Sequence, residues 1–364
     1  MLRGCWVPPA AECPIRLRFE RTRFSHWGER SGYPCFIAHL DQRRFRAELH
    51  SAADNHDEVA AWLRPLKPLL LQLLKGRQKM KWYKLSDLNA ELTAAGRCLA
   101  GQVDLIHFLD GEHSGQFLPH LLRSVGSKVR TVATFHQPPE LLEELIDPSV
   151  VGYFDHIILM SPSQRPYFEG RVPAGRISVI LHGVDAEFFH PAPQERAPGP
   201  IRCVTAGHWM RDWCVFHSVA KRMPSVEFHV VTARETGVED LPNVFRHVGV
   251  DDTTLASLYR TADILFLPLN DTTANNTLLE GIASGLPTVT TDLPAVRAYL
   301  SGGEAILAPK GDADAALAAL QTLFMDPALR RVMGAAARSR AECLSWSRAA
   351  SAHAALFASV VAGS

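Results

Sequence analysis

The sequence carries no excess of either charge: 38 Lys and Arg stand against 38 Asp and Glu. No global field recruits nucleic acid, so none is expected as a partner and any basic surface must be local. Long apolar runs are missing. No stretch approaches the ~18 residues of a membrane-crossing helix, and the opening MLRGCWVPPAAECP lacks a signal peptide's apolar core, so a cytoplasmic protein is expected. Cysteine is sparse and unpatterned. The seven cysteines, at 5, 13, 35, 98, 203, 214 and 343, show neither metal-ligand spacing nor a disulfide framework, which fits a reducing compartment. The 16 histidines include no HExxH-like or clustered Cys/His arrangement, so no metal site is expected. No short-period repeat is present, and no low-complexity tract beyond the alanine-rich end.

What is present is ordinary globular material: 364 residues, 47% hydrophobic and 21% charged, enough for two or three domains with sizeable cores. Its organising stretch runs from Asp263 to Arg297. ILFLP and LPTVTT are short apolar runs of strand length, separated by a segment with Leu278, Leu279, Ile282 and Ala283 at helical spacing. Two strands with a helix between them read as a parallel crossover. Ligands bind outside the carboxyl ends of such strands, which puts Asn270 to Thr277 at the mouth of a site. That loop ends on a helix N-terminus, where free amides and the macrodipole favour phosphate. Thr277 and Glu280 also have capping-box spacing, which would satisfy each other's backbone amides.

The segment LLEGIASGLPTVTTDLPAVRAYL, together with HGVDAEFFHP at 182–191, resembles the nucleotide-sugar segment and the NGVD-type motif of GT-B glycosyltransferases, in particular the retaining GT4 family. The resemblance implies an α/β fold of GT-B type: two facing Rossmann-like domains with parallel sheets and an interdomain cleft. The N-terminal, acceptor-side domain is placed at 1–190, with a C-terminal helix at 346–364 packing back on it. A linker at 191–200, with four prolines in ten residues, leads to a nucleotide-sugar-binding domain at 201–345. Glu280 would hold the donor ribose. The family's pattern has a further Glu eight positions earlier, where this chain has Thr272, followed by Thr273, Ala274 and Asn275.

Taken in order, Ile15 to Phe19 reads as a strand feeding RTRFSHWGERSGYP, a loop with Gly28, Ser31 and Gly32 that reads from its residues as an ordinary surface turn or a ligand loop and by resemblance lies against the donor phosphates and the acceptor. Between Val59 and Ser86 seven basic residues and no acid are interleaved with leucines, Trp82 and Tyr83. This reads either as a core helix at 66–74 followed by a solvated basic loop, or as a surface at 64–84 that holds the chain on anionic lipid. VDLIHFLDG and KVRTVATFHQPP are strand-then-loop units, whose ends bring Glu112 and His113, assigned to the acceptor side, towards one crevice with His136. By resemblance His136 lies beside the transferred sugar.

IRCVTAG opens the second series. It ends in Gly207, followed by His208 where the family usually has Arg, with Arg211 near the usual Lys; the simpler alternative for Arg211 is a surface salt bridge with Asp212 or with an Asp elsewhere. An Arg there would pair bidentately with the donor diphosphate. Arg234, in the 232–235 run, and Val248 would line the base pocket. The donor set is then Gly32, Gly207, Arg211, Arg234, Val248, Thr272, Ala274, Asn275, Asn276, Thr277 and Glu280, with His136, Arg211 and Glu280 as the catalytic group. The resemblance implies a glycosyltransferase that uses a nucleotide-diphosphate sugar as co-substrate, with no further cofactor, and a sugar, glycan, lipid or small molecule as acceptor. Two other readings stay open: a nucleotide-sugar hydrolase or epimerase of the same fold, and an inactive nucleotide-binding subunit.

Overall fold

The computed structural model describes residues 13–23, 30, 32–57, 59–193 and 199–363. Twelve strands among them form two six-stranded sheets, parallel throughout. The first holds β1 (Ile15–Arg23), β2 (Phe45–Ala53), β3 (Leu105–Phe108), β4 (Arg130–Phe135), β5 (His156–Leu159) and β6 (Ile177–Val179), in the order β2-β1-β3-β4-β5-β6. The second holds β7 (Arg202–Ala206), β8 (Glu227–Val231), β9 (Val244–His247), β10 (Ile264–Leu267), β11 (Thr288–Thr291) and β12 (Ala305–Ala308), in the order β12-β11-β10-β7-β8-β9. Both orders are doubly wound. The chain leaves β1 in one direction and β3 in the other, and likewise β7 and β10, so each sheet has a switch point where ligand crevices form.

Central strands are apolar because helices cover both faces. All residues of β3, β5, β10 and β11 are buried. The strand β2 was not expected from the sequence. It pairs with β1 over nine residues, yet most of FRAELHSAA is exposed, as suits a polar edge strand with no apolar run to betray it.

Helix Asn276–Ala283 lies against β10. A Cβ on Gly281 would come 2.6 Å from Leu265 Cδ2, so this glycine sets the close approach of helix and strand. Helix Trp346–Ala362 packs into the first lobe, where Trp346, Ala349, Ala350 and Phe357 join Phe19, Tyr33 and Phe36 in one core. A Cβ on Gly183 would come 2.5 Å from the Trp346 ring, so the turn at 182–185 and the start of that helix fit only with a glycine between them. Tyr299 ties the lobes together: its hydroxyl donates to Met160 O (2.7 Å) and accepts from His182 N (2.9 Å).

In the basic stretch, helix Lys67–Arg77 is less of a core element than the first reading of that stretch expects. Leu74 is buried, but Leu66 and Leu69 are 47% and 53% exposed. The following segment returns Met80 and Tyr83 to the core, while Lys67 pairs with Asp57 and Lys84 with Asp54, each at 2.6 Å.

Candidate active site

The site forms at the switch point of the second sheet, from the loops after β7 and β10. The first loop begins at Gly207, whose φ of 74° favours glycine and where a Cβ would stand 3.1 Å from Arg211 Nη2. The chain turns through His208, Trp209 and Met210, and Arg211 folds back over the end of β7. Its Nε and Nη2 donate to Ala206 O at 3.1 and 2.7 Å, and its Nη1 to Trp209 O at 3.0 Å. Nη2 also reaches Thr277 Oγ1 at 3.1 Å and Asn275 Oδ1 at 3.5 Å. These partners are all neutral oxygens, so the guanidinium is held without being neutralised. Burial lowers it from an ordinary 12.5 to about 10, against the pull of Tyr259 and Glu280.

The loop after β10 is stitched to the first. Asn270 N donates to Met210 O (2.8 Å), Asn270 Nδ2 to Arg211 O (3.1 Å), and Asp212 N to Pro268 O (3.0 Å). Helix Asn276–Ala283 follows, capped by Asn275, whose Oδ1 accepts from Leu278 N at 3.2 Å. The capping-box alternative for Thr277 and Glu280 is therefore corrected. The helix starts two residues earlier than that box requires, so Thr277 Oγ1 donates to Ala206 O (3.0 Å) and the buried Glu280 accepts from Tyr259 Oη (2.9 Å). The salt-bridge alternative for Arg211 fails too. Asp212 Oδ1 instead caps helix Trp213–Arg222 by accepting from Val215 N at 3.0 Å. A guanidinium beside a helix start is an arrangement that favours an anion.

His136 follows directly on β4. Its Nε2 donates to Leu109 O at 2.7 Å, and its ring meets Tyr33 edge-to-face with centroids 5.1 Å apart. Thr273 Oγ1, from the second lobe, donates to His136 O, so the two loops touch across the gap. Glu112 is buried and accepts from the backbone amides of His136 and of Gln137 (2.8 Å), and burial raises its carboxyl. It fixes the His136 turn. His113 stacks on Trp82 (5.0 Å between centroids, 28° between planes), with burial lowering its imidazole.

The remaining residues from the sequence reading lie around this centre. Arg234 and Val248 are exposed, just beyond the carboxyl ends of β8 and β9, one and two strands out from the switch point. Thr272 is buried, its amide donating to Asp271 Oδ1 at 2.7 Å, and Ala274 is packed between the cores of both lobes. Gly32 has a φ of 135° and precedes Tyr33, while Gly28 and Ser31 lie outside the described residues. Three residues at the site escaped sequence reasoning: Trp209, Tyr259 and Asp271. Tyr259 reads as a core aromatic on helix Asp252–Thr261, and only the fold puts its hydroxyl on Glu280. Asp271 is half-buried beside Thr272, with burial raising its carboxyl.

Among the described residues no group of three or more His, Cys, Asp or Glu could hold a metal ion. No helix there is long and apolar enough to cross a membrane.

Two facing doubly wound lobes, each a six-stranded parallel sheet, define the GT-B fold. Solved structures of that architecture superpose over nearly the whole chain. Sucrose-phosphate synthase from Thermosynechococcus elongatus does so with a TM-score of 0.74 at 16% identity, covering 96% of this chain and 100% of that one. HepE from Anabaena, solved in complex with UDP and glucose, does so with a TM-score of 0.65 at 12% identity, covering 95% and 100%. Within the second lobe, residues 214–326 match the family described as Glycosyl transferases group 1. Among relatives in sequence, phosphatidyl-myo-inositol mannosyltransferase of Mycolicibacterium smegmatis is 36% identical over 134 residues, which is 35% of each chain. D-inositol 3-phosphate glycosyltransferase of Arthrobacter sp. is 27% identical over 222 residues, 54% of this chain and 48% of that one. The chain thus spans between a third and a half of the length of these relatives.

Proposed function

We propose that this protein transfers a glycosyl group, with retention and without a metal, from a nucleotide-diphosphate sugar to an acceptor. One observation carries the reading: the Arg211 guanidinium, bonded among the described residues to neutral oxygens only, stands at the start of helix Asn276–Ala283, on the loop whose Thr273 meets His136 O. The departing nucleoside diphosphate concentrates negative charge there, and preorganised donors in a dry site stabilise it most where that charge develops. Arg211 and the first amides of the helix supply this stabilisation. Glu280, oriented by Tyr259, accepts from the ribose hydroxyls. With Nε2–H committed to Leu109 O, Nδ1 of His136 is the nitrogen left for the transferred sugar. In a retaining transfer the acceptor enters on the face the phosphate leaves, and a phosphate oxygen takes its proton, so no carboxylate base is required.

HepE, solved with UDP-glucose, supports a nucleotide-sugar donor. The inositol compounds that name both sequence relatives support a polyol-bearing acceptor. Exposed Leu66 and Leu69 beside Arg64, Lys75 and Arg77 support peripheral docking on anionic lipid from the cytoplasmic side. The test is calorimetry with UDP, GDP and ADP in the presence of EDTA, then transfer from the matching sugar donors to inositol, inositol phosphate and phosphatidylinositol vesicles, with the new anomeric centre read by NMR. The reading expects tight diphosphate binding and an unchanged anomeric configuration. Failure of every diphosphate to bind, or an inverted product, refutes it.

A further inference from the structure

Trp209 belongs to the loop that carries Arg211, yet its side chain engages the other lobe. Its Nε1–H donates to Gln137 Oε1 at 3.3 Å, and its ring meets Trp82 edge-to-face at 6.3 Å and 66°. A half-exposed indole is unremarkable by itself. What distinguishes this one is its main chain, since Trp209 O accepts from Arg211 Nη1 at 3.0 Å. The residue between them, Met210, has a φ of 55°, a conformation that only a fixed environment retains in a residue other than glycine, and its carbonyl accepts from Asn270 N at 2.8 Å. Little freedom is left in the peptide that links indole to guanidinium.

The first lobe offers an equally fixed counterpart. Gln137 N is held by Glu112 at 2.8 Å, and Gln137 O accepts from Gln164 Nε2 at 2.9 Å. The neighbouring His136 O accepts from Thr273, on the loop that ends at Asn275 and Thr277. A closed circuit results: Gln137 to Trp209, through its carbonyl to Arg211, on to Thr277 and back through Thr273 to His136.

We propose that Trp209 is a positioning residue, through which docking on the first lobe sets the Arg211 guanidinium at the helix start. Closing the gap and assembling the diphosphate site are then one event. The inference rests on the donor reading given above and goes beyond it, because it makes the affinity for the second phosphate depend on an indole and a glutamine remote from the nucleotide base and ribose.

The experiment measures, on the full chain, calorimetric affinities for UDP, GDP and ADP and for their monophosphates, in wild type, Trp209→Ala, Trp209→Phe and Gln137→Ala. The expected readout is the preference for diphosphate over monophosphate. It drops by about fivefold or more in Trp209→Ala, the lower end of typical coupling between sites, while monophosphate affinity stays as it was. Gln137→Ala, which leaves Trp209 intact, shows a drop in the same direction, and Trp209→Phe, which keeps an aromatic edge against Trp82, recovers part of it. An unchanged preference in folded Trp209→Ala and Gln137→Ala overturns the inference and leaves the donor reading standing. An equal loss for mono- and diphosphate also overturns it, because Trp209 would then serve the rest of the nucleotide. If wild type binds no diphosphate at all, the donor reading falls and this inference with it.

Discussion

Replacing Arg211 with Lys tests the anion site by pH rather than by loss of activity alone. The substitution keeps a positive charge but exchanges a planar fork for a single ammonium, and so gives up the bidentate grip on a diphosphate. One hydrogen bond to a charged group contributes about 1.5–3 kcal/mol, so diphosphate binding at pH 7 weakens by about ten- to a hundredfold. The sharper consequence follows from burial, which already brings the guanidinium from 12.5 down to about 10. The same desolvation acting on an ammonium whose ordinary value is about 10.4 places it near ~8. Because the bound diphosphate favours the charged form, affinity of the Arg211→Lys variant drops about tenfold per pH unit above that value. Wild type, charged to about pH 10, stays level through the same range. Phosphate groups are fully ionised above pH ~7 and add no slope of their own. Calorimetric titration of UDP, GDP and ADP from pH 6.5 to 9.5 reads both profiles. A variant whose profile runs parallel to wild type would show that the side chain at 211 does not meet the phosphates, and the site would have to be placed elsewhere.

Two further expectations address Glu280 and the docking of the C-terminal helix. Glu280→Gln keeps an acceptor for Tyr259 Oη and so preserves the fold, but it loses a charged acceptor for the ribose. Nucleoside diphosphate affinity drops by about tenfold or more while inorganic pyrophosphate affinity is unchanged; equal nucleotide affinity in the variant would remove the ribose role. His353 is buried, its Nδ1 donating to Ala349 O (2.7 Å) and its Nε2 accepting from Tyr33 Oη (2.6 Å), with desolvation lowering its pKa from 6.5 to about 4. The unfolded chain takes up a proton at this residue below pH ~6.5 and the folded one only near 4. Stability from this group is therefore complete above about pH 6.5 and decreases by about 1.4 kcal/mol per pH unit between 6.5 and 4. Urea midpoints between pH 7 and 5 give the slope, and a His353→Gln variant that keeps the wild-type slope would contradict this account.

The second half of the chain was readable in advance where local pattern and tertiary role coincide. Buried parallel strands such as ILFLP have to be continuous apolar runs, and the loop that leaves one at a switch point has to turn into a helix. Such features need no knowledge of neighbours. The first half was less legible, because β2 is a polar edge strand and because Leu66, before helix Lys67–Arg77, and Leu69 within it are exposed although the stretch reads as core.

Sequence alone determined the two-lobe α/β plan and the glycine turn before Arg211, since backbone geometry and residue type dictate them locally, whereas the helix start at Asn276 came two residues earlier than its spacing suggested. Only the tertiary structure decided what Glu280 bonds to, that Asp212 caps a helix instead of pairing with Arg211, and that Trp209 reaches across to Gln137. Spacing along a chain constrains neighbours on one element, whereas each of these contacts joins residues whose meeting depends on how helices, loops and lobes come to rest against one another.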